Sequence, residues 1–231
     1  MAHKTVVIVQ SSYIPWKGYF DLVNRADELI LLDDVQFTVR DWRNRNRIKT
    51  PQGLAWLTIP VKTRGRRLQA VQNVEIADPG WNRRHWRTLQ HAYRRAPHFR
   101  TYRGLFEELY LGCSETRLSA VNRRFLGAVC DLLRISTAIS WSADYGTVAG
   151  KSERLVGLCR QAGADRYLSG PRARAYLDET LFAAEGIEVE YADYQGYLEY
   201  NQLGMPFVHQ VSIVDLLFCT GPDARSYLKS T

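Results

Sequence analysis

Two adjacent carboxylates, Asp33 and Asp34, close an apolar run, and a short distance upstream lie Gln10, Tyr13, Trp16 and Tyr19. A carboxylate at that point can take a proton from an attacking amine or orient a histidine such as His209. If both faced one pocket, one pKa would be raised, whereas strand alternation would turn them to opposite sides and leave one structural. Asp33, Asp34 and His209 are therefore the candidate catalytic groups. Gln10, Tyr13, Asn44 and Asn46 are candidate donors to a sugar or a tetrahedral oxyanion. Downstream, DWRNRNRIK alternates Arg40, Arg43, Arg45, Arg47 and Lys49 with Asn44 and Asn46. That composition opposes helix and predicts an exposed loop or edge strand over a crevice. Guanidinium forks match phosphate or carboxylate oxygens two at a time.

The elements that must position these groups follow from periodicity. Thr5 to Val9 is a β-branched strand, Pro15 and Gly18 force a loop, Tyr19 to Ala26 spaces as a short helix, and Glu28 to Leu32 is a second strand. In a parallel α/β sheet the carboxyl ends of the strands face the ligand, so the 10–16 loop and Asp33/Asp34 are expected on one side. Leu54 to Val61 and Leu68 to Ile76 are expected to pair as a hairpin with a basic tip. Trp86, Leu89 and Tyr93 make one helical stripe, Pro97 breaks it, and Tyr102, Leu105, Phe106 and Leu109 make another. Leu118 to Leu133 is a third helix. The expected fold is α/β: a single Rossmann-like, mostly parallel sheet with a β-hairpin and a mainly helical middle subdomain. It is one domain over 1–231, with the sheet core in about 1–78 and 138–231 and the helical insertion in about 79–137.

Past Ala138 to Trp141, a helix over Lys151 to Gly163 and a strand over Arg166 to Leu168 lead into Ser169-Gly170, a candidate anion cradle before a helix at Ala173 to Glu185. Tyr191, Tyr194, Tyr197 and Tyr200 either line a pocket or cover the sheet's edge. Ser212 reads as an N-cap with Asp215 as a capping-box carboxylate. His85, His91 and His98 are six and seven apart, so they do not stack as a metal pair and read as surface or partly packed groups, with general-base use open.

Charge is uneven along the 231 residues. Thr38 to Arg103 holds 16 Lys/Arg against 3 Asp/Glu, leaving 15 against 21 elsewhere under a net +7. Such a block fits an anionic small molecule, the acidic face of an acyl carrier protein or RNA, or is simply a solvated face. The four cysteines form no C-x-x-C pair, which excludes a zinc knuckle. No apolar run reaches about 18 residues and no signal-peptide h-region opens the chain, so a cytoplasmic location is expected. There is no G-x-S-x-G, P-loop, H-E-x-x-H or G-x-G-x-x-G.

The strings Q-x-x-Y-x-P-W-x-G-Y-F from Gln10, L-D-D-V-Q-F from Leu32 and W-R-N-R-N-R-I-K from Trp42, with YLSG at Tyr167, YLD at Tyr176 and the closing SIVDLLF from Ser212, resemble the WbqC-like protein family over nearly the whole chain. The resemblance implies a product of surface-polysaccharide (O-antigen) or natural-product gene clusters, transferring an acyl or aminoacyl group such as glycyl to an amine. It adds Trp16, Tyr19, Gln36, Arg40, Arg45 and Tyr200 to the substrate-binding candidates, beside Ser169 and Gly170. One position departs. The family's His-Pro ahead of Tyr-x-Gln is Gly196-Tyr197 here, before Tyr200 and Gln202, so no role of that histidine transfers. The expectation is a cofactor-free transferase that takes a phosphopantetheine-bound, nucleotide-bound or tRNA-bound donor. Two alternatives stand beside it, a non-enzymatic carrier-protein- or RNA-binding module and an ATP-dependent ligase.

Overall fold

The computed structural model describes residues 3–230. Five strands, β1 (Thr5–Val9), β2 (Glu28–Leu31), β5 (Ala138–Trp141), β6 (Arg166–Ser169) and β7 (Glu188–Tyr191), form a parallel sheet in the order β5-β2-β1-β6-β7. β1 and β2 are apolar and buried almost throughout because both faces of the sheet are covered. Alternation assigns the faces. Val7, Leu29 and Leu31 pack into one core, while Val6, Ile8 and Ile30 pack into the other. The first core is closed by α1 (Lys17–Asn24), the middle helices α2 (Trp81–Tyr93), α3 (Phe99–Leu111) and α4 (Leu118–Leu132), and α7 (Ile213–Thr220). The second is closed by α5 (Ser152–Gln161) and α6 (Glu179–Ala184). The chain leaves β1 toward β2 and β5 and later returns on its other side with β6 and β7. The strand order therefore reverses between β1 and β6, the place where such sheets open a crevice.

The hairpin forms, with a different partner from the one expected. β3 (Arg45–Thr50) pairs antiparallel with β4 (Gly53–Thr58) around Pro51-Gln52, and Gly53 takes φ +113°, which an L side chain resists. Arg45 to Lys49 is thus a paired strand, with Asn46 and Ile48 buried beneath it. Leu68 to Ile76 is a bend around a short 3-10 turn that forms no strand, meeting the rest through isolated bridges, Gln36 with Ala70, Val61 with Ile76 and Glu75 with Arg117, and through backbone hydrogen bonds. The helix expected over Ala173 to Glu185 breaks into a 3-10 turn (Pro171–Ala175) and α6, which Asp178 caps by accepting from the Thr180 amide. Ser212 caps α7 by accepting from the Val214 amide at 3.4 Å. Asp215 does no capping. It is fully buried and accepts hydrogen bonds from the Tyr93 and Tyr200 hydroxyls, both at 2.8 Å. No helix among the described residues is long and apolar enough to cross a membrane.

Candidate functional site

At the carboxyl ends of β1 and β6 the surface opens into two adjoining lobes of about 650 and 490 Å³ that share Arg43, Arg172 and Tyr194. The larger is aromatic. Trp16 and Tyr19 from the start of α1 face Trp42, Tyr194 and Tyr197, and His209 and Gln210 close one end. The smaller lobe is cationic. Gln10, Ser169 and Gly170 form its floor at the strand ends, and Arg43, Lys151, Arg154 and Arg172 point charge into it. No Asp or Glu lines either lobe.

The walls are held by polar side chains that lie far away in sequence. The Asn46 side-chain amide donates to the Tyr13 carbonyl at 3.1 Å and to the Ile14 carbonyl at 2.9 Å, fixing a turn in which Ile14 adopts φ +36°. Asn122 donates to Ser11 Oγ at 3.0 Å and to the Arg43 carbonyl at 2.9 Å. Arg43 also donates to Gln10 Oε1 and pairs with Asp41 at 3.1 Å, which sets it between the lobes. The opposite wall is the 192–211 segment, which has no regular structure and is tied down along its length. Ala192 N bonds the Ser169 carbonyl at 2.8 Å, Tyr197 donates to Asp21 at 2.7 Å, and Lys49 reaches the Gly204 and Pro206 carbonyls at 2.5 and 2.7 Å. Lys17 donates to the Leu198 carbonyl at 2.7 Å, with its ammonium 5.1 Å from the Tyr197 ring and 5.3 Å from that of Tyr200. Burial among these rings draws the Lys17 ammonium down to about 8.

His209 is the one histidine that lines the crevice among the described residues. Its Nδ1 makes no hydrogen bond. Desolvation first, and then the nearby Lys17 charge, lower its pKa from the ordinary value, so the imidazole is neutral at neutral pH and free to accept a proton.

Of the sequence-predicted residues, the crevice brings together His209, Trp16, Tyr19 and Asn46 in the aromatic lobe, and Gln10, Ser169 and Gly170 in the cationic one. The rest lie elsewhere. Asp33 is 1 % exposed, accepts from the Ser11 amide at 2.8 Å and from the Ser119 hydroxyl, and braces the loop behind the crevice. Asp34 is held by Arg154 and by Ser142 Oγ at 2.7 Å. Tyr13 is fully buried, its hydroxyl between Tyr110 at 2.7 Å and His85 Nδ1 at 2.9 Å. His85 is therefore a core residue and not a surface histidine. Tyr200 is committed to Asp215, and Asn44 donates to the Ile59 carbonyl at 2.9 Å. Gln36 and Arg40 are exposed. Arg45 lies on the outer hairpin face, 4.1 Å from the Trp56 ring. Asp33, Asp34, Tyr13 and Arg45 thus share no cavity.

Sequence reasoning missed Lys151, Arg154 and Arg172. Lys151 and Arg154 open a helix, where cations read as solvated ends, although the Pro171-Arg172 step follows β6 directly enough to have marked Arg172. Among the described residues no group of three or more His, Cys, Asp or Glu converges as a metal set.

A five-stranded parallel sheet covered on both faces, with a crevice at its switch point, defines a doubly wound α/β protein. More narrowly, the chain belongs to the WbqC-like protein family, whose model matches residues 10–227. It is 50 % identical over 226 residues to the uncharacterized protein Rv1507c of Mycobacterium tuberculosis (strain ATCC 25618 / H37Rv), covering 98 % of each chain. No solved structure matches it.

Proposed function

We propose that the protein is a transferase that moves a preactivated acyl or aminoacyl group, such as glycyl, onto the amine of an amino sugar or related small molecule. One observation carries the reading: an acid-free crevice joins a neutral, partnerless imidazole among aromatic walls to a cation-lined lobe. The aromatic lobe suits a sugar or acyl moiety, and the cationic lobe suits the anionic end of either substrate. In the reaction the amine nitrogen attacks the acyl carbonyl and a C–N bond forms. His209 takes the amine proton, and the carbonyl-to-sulfur or carbonyl-to-oxygen bond breaks as the tetrahedral centre collapses. The proton then passes to the departing thiol or hydroxyl. No Asp enters this scheme, since the base is the imidazole alone.

The test is to mix the protein with a carrier-bound glycyl thioester and a nucleotide amino sugar and to look for the amide by mass spectrometry. His209→Gln should lower its rate by about 100-fold or more with the thermal midpoint unchanged. Absence of amide across thioester, tRNA-ester and adenylate donors would remove the proposal. Release of AMP or ADP with free amino acid and ATP would favour a ligase instead.

One observation favours a second reading. Trp42 and Trp56 stand exposed on the hairpin, ring centroids 5.4 Å apart, with Arg45 and Arg47 over the rings. Exposed aromatics interleaved with arginine suit single-stranded RNA. RNA binding would weaken steeply with salt across many sequences, unlike saturable small-molecule stabilisation.

A further inference from the structure

We propose that the smaller lobe, at the β1/β6 switch point, is a binding site for a diphosphate group carried by one of the substrates. The inference deepens the transferase reading by naming the substrate's anionic end. It rests on that reading for its biological setting, but not for its test.

The argument begins with charge balance. Arg43, Lys151, Arg154 and Arg172 line the lobe and no carboxylate does. Two of the four are compensated from behind the wall, Arg154 by Asp34 and Arg43 by Asp41. Among the described residues neither Lys151 nor Arg172 forms an ion pair, so the lobe keeps about two uncompensated positive charges facing one space, which a doubly charged anion would neutralise. The arginines are also held in place. Arg43 is fixed by Gln10 and Asp41 and Arg154 by Asp34, so both guanidinium groups stand preset at the lobe. Planar guanidinium forks match the oxygens of linked phosphates, which accept several donors at once.

Backbone geometry adds to this. Gly150 takes φ +99°, and a Cβ there would stand 2.2 Å from the Glu153 carboxylate, so a glycine is needed to turn Lys151 toward the lobe. Across from it, Ser169-Gly170 ends β6 without a side chain over the floor. Because Arg43, Arg172 and Tyr194 belong to both lobes, a diphosphate seated here sends its organic part directly into the aromatic lobe. A nucleotide sugar carries such a diphosphate, whereas a carrier-bound pantetheine arm carries a single phosphodiester.

Lys151 and Arg172 are both exposed, so replacing them leaves the core untouched. Inorganic pyrophosphate should raise the thermal midpoint saturably and bind in calorimetry. Lys151→Ala with Arg172→Ala should weaken it by about 100-fold, roughly tenfold per cation, with the ligand-free midpoint unchanged. Arg64→Ala with Arg67→Ala, on the distant 62–68 loop, should change nothing. UDP and ADP titrated in parallel should bind more tightly than pyrophosphate, and phosphopantetheine, with its single phosphate, binding as tightly as either would overturn the diphosphate assignment. Stabilisation by pyrophosphate no greater than by sodium chloride of equal ionic strength, or equal affinity in the double variant, would overturn the proposal. The readout is binding, so it can fail while amide formation succeeds, and the reverse.

Discussion

Protonating His85 should destabilise the protein as pH falls, because the ring is buried and a charged imidazolium there loses its hydration. Nε2 lies 3.1 Å from the Thr58 carbonyl, which can only accept, so Nε2 carries the proton and Nδ1 must accept from the Tyr13 hydroxyl at 2.9 Å. Tyr13 in turn accepts from Tyr110 at 2.7 Å. A second proton on the ring would reverse the Tyr13 hydroxyl and place a charge inside a cluster with Trp81 and Phe125. Burial, the dominant cause, accordingly pulls the His85 pKa from 6.5 down to about 4. The unfolded chain binds a proton at His85 below about pH 6.5 and the folded chain does not, so stability is complete above pH 6.5 and falls as pH drops toward 4. A shift of that size corresponds to about 3 kcal/mol, or roughly 6–12 °C in thermal midpoint for a chain of this length. Other groups titrate in the same window, so the measurement is the difference between wild type and His85→Gln, whose amide can still donate to Thr58 and accept from Tyr13. The difference should slope between pH 4 and 6.5 and be flat above. A flat difference throughout would refute the neutral-ring argument. Tyr13→Phe should lower stability yet leave pyrophosphate binding intact, because Tyr13 does not reach the crevice.

Two further expectations concern carboxylates. Asp33→Asn should cost only about 1 kcal/mol, since the Ser119 hydroxyl can reverse from donor to acceptor. Asp33→Ala leaves the Ser11 amide and that hydroxyl unpaired in the core and should cost roughly 3–5 kcal/mol. Urea midpoints check both, and an Asn variant of unchanged stability that no longer transfers would return Asp33 to the chemistry. Burial holds the Asp215 carboxyl above its ordinary pKa of 3.8. The folded chain therefore keeps a proton that the unfolded chain loses, and this residue's contribution falls as pH rises above about 4. The stability deficit of Asp215→Asn should shrink from pH 4 to pH 7, and a constant deficit would contradict the assignment.

The sheet was legible because its strands are short β-branched runs buried on both faces, and the rule that ligands sit at strand ends placed Gln10, Ser169 and Gly170 on the crevice. Asp33 shows where the same rule stops. A strand-end carboxylate reads as chemical until its partners are known, and Ser119 lies 86 residues away. Tyr13 was opaque for the same reason, since His85 and Tyr110 arrive from 72 and 97 residues on. The Arg-rich block drew attention through its density, yet Arg43 is the one cation of that block that lines the crevice, beside Trp42 and Asn46. Lys151, Arg154 and Arg172 come from the acid-rich remainder, where single cations raise no local signal. The hairpin partner was misjudged because alternating Arg and Asn reads as polar loop, although Asn46 and Ile48 already supply a buried face at every second position.

The acids of that remainder are kept off the crevice lining. Asp33 holds the 10–16 loop, Asp34 anchors Arg154, Asp21 receives the Tyr197 hydroxyl and the Lys229 amide, and Asp215 receives Tyr200. Each fixes a piece of wall from behind, and none opens onto the space in front. A carboxylate used in this way does not offer its oxygens to the ligand; Asp34 offsets the Arg154 charge it pairs with, and Lys151 and Arg172, which form no ion pair among the described residues, carry the field into the cleft. The fold thus separates its charges by layer, with anions in the supporting network and cations at the surface of the cavity. That separation is why the crevice favours an anion even though the segments that build it are, apart from the Arg-rich block, net acidic.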